Sequence, residues 1–162
     1  VGDDIFGRMI ADDFKYNHVD TSHLIVEEGK RSNFCTCITE RATKSKTLIS
    51  RPGECREVEP GDIDESYIRS ARMLHVGFVN EAIRRAADII HASGGKVSVD
   101  AAYYKPYVYE NYDVFDIFIG SEGYVKAAYG RREVCSYALC AEQGSRGRDI
   151  YLWRRRLHGS LR

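Results

Sequence analysis

The chain has 162 residues, and its 24 basic and 24 acidic side chains give a net charge of zero at neutral pH. Apolar residues make up 43% of the sequence and charged residues 30%, which is typical of a soluble globular domain. The balanced charge gives no general argument for a nucleic-acid partner, and no apolar run approaches the roughly 18 residues that a membrane span needs.

The cysteines argue for a reducing compartment. There are five, an odd number, and their spacings fit no common disulfide framework, so we expect a cytoplasmic protein. Cys35 and Cys37 form the only close pair, and on a strand both would lie on the same face. Neither the other cysteines nor the histidines stand at a spacing that would complete a zinc site, so we predict no metal centre.

The first third of the chain combines one helix with strand-like runs. Residues 4–16 predict an amphipathic helix, because Ile5, Met9 and Phe14 recur at helical spacing behind an aspartate that can cap it. Three strand-like runs follow, at 22–27, 33–41 and 46–51. We therefore predict a small antiparallel sheet within residues 22–51.

The remainder alternates between strands and helices. Strand-like runs occur at 72–78, 96–100 and 114–120, and helices are predicted at 60–71, 80–93, 122–130 and 132–143. This alternation predicts a parallel sheet with helices on both faces and a ligand at the carboxyl ends of the strands. Asp100 and Lys105 follow one such strand and could meet a polar ligand; the alternative is a helix-capping Asp and a solvated Lys.

The usual nucleotide-binding and hydrolase motifs are absent from the sequence. It contains no Gly-x-Gly-x-x-Gly fingerprint and no Gly-x4-Gly-Lys-Ser/Thr loop. It also contains no Gly-x-Ser-x-Gly nucleophile elbow. Local motifs therefore support an α/β domain with a polar site at its strand ends and little more.

The ordered set of segments, however, resembles the ribokinase or PfkB family of sugar kinases. Residues 1–24 are similar to the family's Gly-x-Asp-x-x-Gly stretch with its later Gly-Val-Asp-Thr, and residues 30–53 to a small sheet that folds over the sugar as a lid. Residues 71–78, 94–106 and 115–130 resemble the three βα units that follow. The similarity runs in register from residue 1 to about residue 145.

This resemblance implies a fold and an activity. The fold class would be α/β, a partial ribokinase-like (Rossmann-like) sheet with helices on both faces and an antiparallel β-lid at about 22–51. The activity would be phosphoryl transfer from ATP, with Mg²⁺, to a sugar hydroxyl. The family's first strand, its Gly-Ala-Gly-Asp catalytic motif and its adenine-binding half have no counterpart here. We therefore expect residues 1–145 to form an incomplete kinase domain that binds neither ATP nor Mg²⁺ and is inactive alone.

The resemblance also implies where the sugar would bind. Its contacts would come from the lid, from Ser32, Asn33 and Phe34, with Arg51 as a weaker candidate where the chain leaves the lid. The alternative is that these are solvated strand residues. A small sheet of this kind would leave apolar surface exposed, which favours a homodimer through the lid.

The resemblance also implies which residues would face the phosphate, although this sequence differs from the family at two motifs. The family's Asp-x-Asn-x-Arg appears here as Asp100, with Lys105 in the place of the Arg. The family's Asn-x-x-Glu appears as Ser121 and Tyr124, and Glu122 would substitute for it. We therefore expect Asp100, Lys105 and Glu122 to face the phosphate, and we assign no catalytic residue.

The end of the chain has an unusual composition. Residues 146–162 hold six Arg, one Asp and no Lys, whereas all seven Lys precede residue 130. The resemblance implies a strand here and then a Thr-x-Gly-x-x-Gly turn. One back-translation of residues 151–159, shifted by a nucleotide, reads Thr-Cys-Gly-Glu-Asp-Gly-Cys-Met-Gly, so we interpret this tail as frameshifted. The alternatives are a basic amphipathic helix, or a nucleic-acid-binding tail on a non-catalytic interaction module.

Overall fold

The computed structural model describes residues 1–43, 45–101, 110–121, 124, 127 and 149–153. The chain divides into two compact units, an N-terminal unit, Val1–Glu57, and a C-terminal unit, Val58–Arg162. The N-terminal unit holds α1 (Ile5–Tyr16), β1 (Phe34–Thr39) and β2 (Lys46–Arg51). The C-terminal unit holds α2 (Glu65–Ser70), β3 (Met73–Val76), α3 (Glu81–Ala92), β4 (Lys96–Ala101), β5 (Ile117–Ser121) and β6 (Asp149–Trp153), with 3₁₀ turns at Pro60–Asp62 and Tyr112–Val114.

The lid consists of β1 and β2. They pair antiparallel, from Phe34 opposite Arg51 to Thr39 opposite Lys46, as predicted for this part of the chain. Of these residues only Phe34 is partly buried, and the others are exposed.

The strand predicted at 22–27 is wrong. The amide of Leu24 closes a turn on the carbonyl of Thr21, and only Glu27 forms a bridge, parallel to Gly2. The apolar run at 24–26 has the composition of a strand, but its neighbour is the short segment that precedes α1, which is too short for a ladder.

The C-terminal unit is the α/β part of the molecule. Its four strands lie in the order β3-β4-β5-β6, and all neighbouring pairs are parallel. Helix α3 packs on this sheet with six buried residues, Ala82, Ile83, Ala86, Ala87, Ile89 and Ile90. Its partners in the core include Val76, Val97, Val99 and Phe118. The predicted α/β class is confirmed, because the strands are parallel and α3, which connects β3 to β4, buries its apolar side against the sheet.

The fourth strand lies inside the Arg-rich tail. β6 runs beside β5, with Asp149 opposite Ile117 and Trp153 opposite Ser121. This is a strand at the place where the resemblance implies one, so residues 149–153 are not part of a basic helix. The helices predicted at 122–130 and 132–143 lie almost wholly outside the described residues. The boundary at residue 145 and the frameshift stay predictions. Within the described part of the chain, no helix has the length and apolar character to cross a membrane.

Candidate functional site

An open cleft of about 580 Å³ lies in the N-terminal unit at the base of the lid. It is lined by Val1, Ile10, Ser32, Asn33, Ser50, Pro52, Gly53 and Cys55. The segment that leads into β1 and the end of β2 both contribute, so the cleft lies where the chain enters and leaves the lid. Its mixed apolar and polar lining is of the kind that binds small molecules.

Two of the four predicted sugar contacts line this cleft. Ser32 is buried, whereas Asn33 is exposed. Within the described residues the side-chain amide of Asn33 has no hydrogen-bond partner, which leaves two donors and an acceptor for a ligand. Ser50 adds a hydroxyl on the other strand, which donates to the sulfur of Cys35 at 3.3 Å.

The other two predicted contacts belong to the opposite face of the lid. Phe34 and Arg51 are paired across the ladder, and neighbouring residues such as Ser50 point to the other side. The ring of Phe34 stacks on that of Phe6 in α1, with 4.5 Å between centroids. Ser32 and Asn33 therefore line the cleft, whereas Phe34 and Arg51 lie on the opposite face of the lid.

Most cations near the lid base have an acidic partner. Arg31 pairs with Glu54, and the hydrogen bond between them raises the pKa of Arg31 and lowers the pKa of Glu54. Arg56 pairs with Glu27, with 3.4 Å between Nε and Oε1. Arg51 differs, because in the described part of the chain its guanidinium has neither an ion pair nor a hydrogen bond.

The residue that organises the cleft was recognised in the sequence only as a helix cap. Asp4 caps α1 through a hydrogen bond from the Gly7 amide to its Oδ1, 2.9 Å long. The same Oδ1 accepts from the Ser32 hydroxyl at 2.8 Å, and Oδ2 accepts from the Ser32 amide at 3.1 Å. The bond from Gly7, together with those from Ser32, lowers the pKa of Asp4, so its carboxylate is charged at neutral pH.

Three glycines allow the backbone segments around Asp4 to meet. A Cβ on Gly2 would overlap the carbonyl oxygen of Lys30, and one on Gly7 would overlap the carbonyl oxygen of Gly2. A Cβ on Gly53 would lie 2.7 Å from the Asn33 nitrogen. The Gly-x-Asp-x-x-Gly pattern at Gly2, Asp4 and Gly7 is therefore a packing motif, and it is the sequence signal that could have located this cluster.

The predicted phosphate-side residues belong to the C-terminal unit. Asp100 is exposed in β4, one residue before the strand ends and opposite Ile119 of β5. Lys105 and Glu122 lie outside the described residues. Tyr124 is a core side chain, buried with its ring edge-on to Phe118 at 5.1 Å between centroids. Position 124 therefore offers no acidic ligand to a metal or a phosphate.

The described residues include no group of three or more His, Cys, Asp or Glu side chains that could hold a metal ion. Cys35, Cys37 and Cys55 are free thiols without such companions. The chain also lacks a Gly-Ala-Gly-Asp segment that could form an anion hole.

The parallel α/β sheet of the C-terminal unit and the separate antiparallel strand pair of the N-terminal unit match the ribokinase-like fold. The model of the pfkB family carbohydrate kinases matches residues 1–130, and the chain belongs to this family.

Two curated relatives and two solved structures illustrate the similarity. The 5-dehydro-2-deoxygluconokinases of Geobacillus kaustophilus and Geobacillus thermodenitrificans are 32% and 30% identical to the chain over 120 residues. These residues are 68% of this chain but 36% and 35% of the relatives, so the chain spans about a third of their length.

Among solved structures, the apo form of a protein assigned as ribokinase II from E. coli superposes with a TM-score of 0.74 at 20% identity. The match covers 95% of this chain and 55% of the other. The same protein in complex with ATP and Mg²⁺ gives a TM-score of 0.70 at 18% identity, covering 94% and 54%. At these identities the likeness supports the fold.

Proposed function

We propose that this chain carries the sugar-binding part of an ATP-dependent carbohydrate kinase. The observation that carries the proposal is the cleft at the lid base, where the unengaged amide of Asn33 is available to hydrogen-bond a sugar hydroxyl. Family membership supports the same function, because the residues matched by the family include the whole lid. In the intact kinase, ATP and Mg²⁺ would supply and activate the phosphoryl group, with Asp100, Lys105 and Glu122 on the phosphate side.

The substrate we favour is a sugar acid. The two curated relatives are named for 5-dehydro-2-deoxygluconate, which carries a carboxylate. Arg51 is a cation at the lid base without a partner in the described residues, and a guanidinium matches a carboxylate in a bidentate pair. Asn33 would bind the hydroxyl groups in the cleft. Arg51 lies at the end of β2 and points to the opposite face, so it would bind the acid group of a sugar that extends from the cleft around this end of the lid.

Calorimetry on the chain without ATP tests this proposal. We expect 5-dehydro-2-deoxygluconate to bind more tightly than neutral 2-deoxyglucose. Arg51→Ala should weaken binding of the acid about tenfold and leave the neutral sugar unchanged, because it removes one charge-assisted contact. Asn33→Ala should weaken both. Arg41→Ala, which removes an exposed arginine in the lid loop, is the matched control. Absence of binding by any sugar would contradict the proposal.

We also propose that the chain does not transfer phosphate by itself. Phosphoryl transfer depends on positioning and on electrostatic stabilisation of the moving group, and the family's Gly-Ala-Gly-Asp segment is absent from the 162 residues. Loss of a general base alone typically costs ~10²–10⁴-fold. A coupled ADP-release assay with ATP, Mg²⁺ and the sugar acid should therefore give no signal above a denatured-protein control. Sugar-dependent ADP release would contradict this expectation.

The rival function, an interaction module with a basic tail, predicts a different result. It requires DNA affinity that falls steeply with salt, since each phosphate contact releases counterions. A DNA titration at two salt concentrations therefore separates the two functions. We expect weak binding at both.

A cytoplasmic homodimer joined through the lid completes the proposal. On one face of the lid, Ile38 is 53% exposed and Ile49 is 57% exposed, and these side chains form an apolar surface that a second copy could cover. Size-exclusion chromatography with light scattering should give twice the chain mass, and Ile49→Lys should shift it to that of a monomer. A wild-type monomer would contradict the lid dimer without affecting the sugar-binding proposal.

A further inference from the structure

We propose that Asp4 is a positioning residue for the sugar cleft: by holding Ser32, its carboxylate fixes the place of Asn33 at the edge of the cleft. This inference rests on the proposed sugar-binding function and adds a residue to it. The group of hydrogen bonds among Gly2, Asp4, Gly7 and Ser32 is called the Asp4–Ser32 clasp below.

In the clasp, both hydrogen-bond donors of Ser32, its backbone amide and its hydroxyl, are already used. Its hydroxyl donates to Asp4 and accepts from the Gly2 amide at 3.0 Å, and its backbone amide donates to the second carboxylate oxygen of Asp4. The hydroxyl has one proton, so none is left to donate to a sugar. Ser32 therefore lines the cleft as a fixed support, and the next residue, Asn33, is the one with free polar atoms.

The clasp joins segments that are distant in sequence. Asp4 and Ser32 are 28 residues apart, yet one carboxylate binds both the start of α1 and the segment that leads into β1. On the other side of this segment, the carbonyl of Arg31 accepts from the amide of Glu54 at 2.8 Å, just beyond β2. The backbone is therefore held before Ser32 by the bond from Glu54 to Arg31, and after it by the ladder that begins at Phe34.

The geometry leaves little room for the clasp to relax. Ser32 is buried, and Gly2 and Gly7 approach the neighbouring backbone too closely for any side chain. If the carboxylate is lost, the amide and the hydroxyl of Ser32 lose their acceptor in a buried place. The segment then has several alternative positions, and Asn33 moves with it.

Two variants separate the clasp from the helix cap. Asp4→Asn keeps an oxygen for the Gly7 amide but turns an NH₂ group towards the Ser32 amide, so two donors face each other. Asp4→Ser keeps a good N-cap but is too short to reach Ser32. Asp12→Asn is the matched control, because it makes the same charge change on an exposed residue of the same helix.

Two measurements read the effect. Amide hydrogen exchange and the side-chain NH₂ resonance of Asn33 report the position of the segment, and calorimetry with 5-dehydro-2-deoxygluconate reports binding. For both Asp4 variants we expect exchange at residues 32–35 to speed up about tenfold, the Asn33 resonance to move, and affinity to fall about tenfold. Exchange within α1 should stay unchanged, and Asp12→Asn should behave as wild type.

The outcomes that overturn the inference are distinct from those that overturn sugar binding. Unchanged exchange at 32–35 with an unmoved Asn33 resonance would show that Asp4 does not position this segment. Equal loss of protection in α1 and in 32–35 would show a folding role only, and the inference would again fail. If the wild-type chain binds no sugar acid but the exchange and resonance changes occur, the positioning of Asn33 is supported and the proposed function is wrong.

Discussion

Helices α1 and α3 have the same length and the same ends, yet they bury very different surfaces. Each has 12 residues and a side-chain cap, from Asp4 to the Gly7 amide in α1 and from Asn80 to the Ile83 amide in α3. Helix α3 buries six residues, whereas in α1 only Gly7 is buried. Two helices with equally good local signals therefore contribute to stability in different ways.

The difference extends to the two units. The large buried side chains of the described structure, such as Phe115, Ile90 and Val97, all belong to the C-terminal unit. In the described part of the N-terminal unit the buried residues are Gly2, Gly7 and Ser32, the same residues that surround Asp4. The C-terminal unit is thus held by apolar burial, and the N-terminal unit by hydrogen bonds between close backbone segments.

The largest expected effect compares two isoleucines. Ile90 in α3 is 0% exposed and Ile5 in α1 is 60% exposed. Ile90→Ala should lower the free energy of unfolding of the C-terminal unit by roughly 2–5 kcal/mol, because it removes buried methyl groups and leaves a cavity. Ile5→Ala should change the free energy of unfolding by less than about 0.5 kcal/mol.

Urea unfolding with amide exchange resolved by region measures both isoleucine variants. A loss above 1 kcal/mol in Ile5→Ala would mean that α1 buries its apolar side in solution, and the comparison between the helices would break down.

An intermediate effect is expected for glycines. Gly7→Ala puts a methyl group against the carbonyl of Gly2, so we expect the N-terminal unit to lose about 2 kcal/mol, as in other overpacked sites. Gly61→Ala is the matched control, because a Cβ there meets nothing within 4 Å. Regional amide exchange again gives the free energies. A Gly7→Ala chain as stable as Gly61→Ala would show that the close approach at α1 is not needed.

The smallest effect concerns the helix ends. Both helices end in a Schellman motif: the amides of His18 and Val19 donate to carbonyls in the last turn of α1, as those of Gly94 and Gly95 do in α3. The residue in the left-handed conformation is His18 in α1, with φ of 58°, but Gly94 in α3, with φ of 79°.

A residue with a Cβ is strained in this conformation. His18→Gly should therefore stabilise α1 by about 1 kcal/mol, and Gly94→Ala should destabilise α3 by about the same amount. Thermal unfolding monitored by exchange in each helix measures the two shifts. Shifts of the same sign would contradict the strain argument.

Local patterns predicted the parts of the fold that depend on local interactions. The helices at 4–16 and 80–93 lie within one residue of α1 and α3, because apolar spacing, an N-cap and, for α3, a glycine at the C-terminus act over a few residues. The strand expected at 22–27 failed because strand formation needs a long partner, which no local pattern reveals. β6 is the converse case, since it forms beside β5 from a segment of unusual composition.

The candidate site was less predictable for the same reason. Asn33 and Ser32 could be placed near the sugar by resemblance, and both line the cleft. The bond from Ser32 to Asp4 joins residues 28 apart, so spacing along the chain gave no sign of it. Only Gly2 and Gly7, which flank Asp4 in the motif, indicated that two backbone segments meet here, because glycine is favoured where backbones approach closely.

The closed base of the lid also determines where the chain can change length. The amide of Glu54 is bound to the carbonyl of Arg31 below the two strands, and at the far end the amide of Glu40 bonds the carbonyl of Ser45. Because both strand ends are fixed below the tip, residues inserted between 40 and 45 would only enlarge a loop, and doubling a loop costs about 0.6 kcal/mol. A peptide tag or a fluorescent reporter can therefore be grafted at the tip.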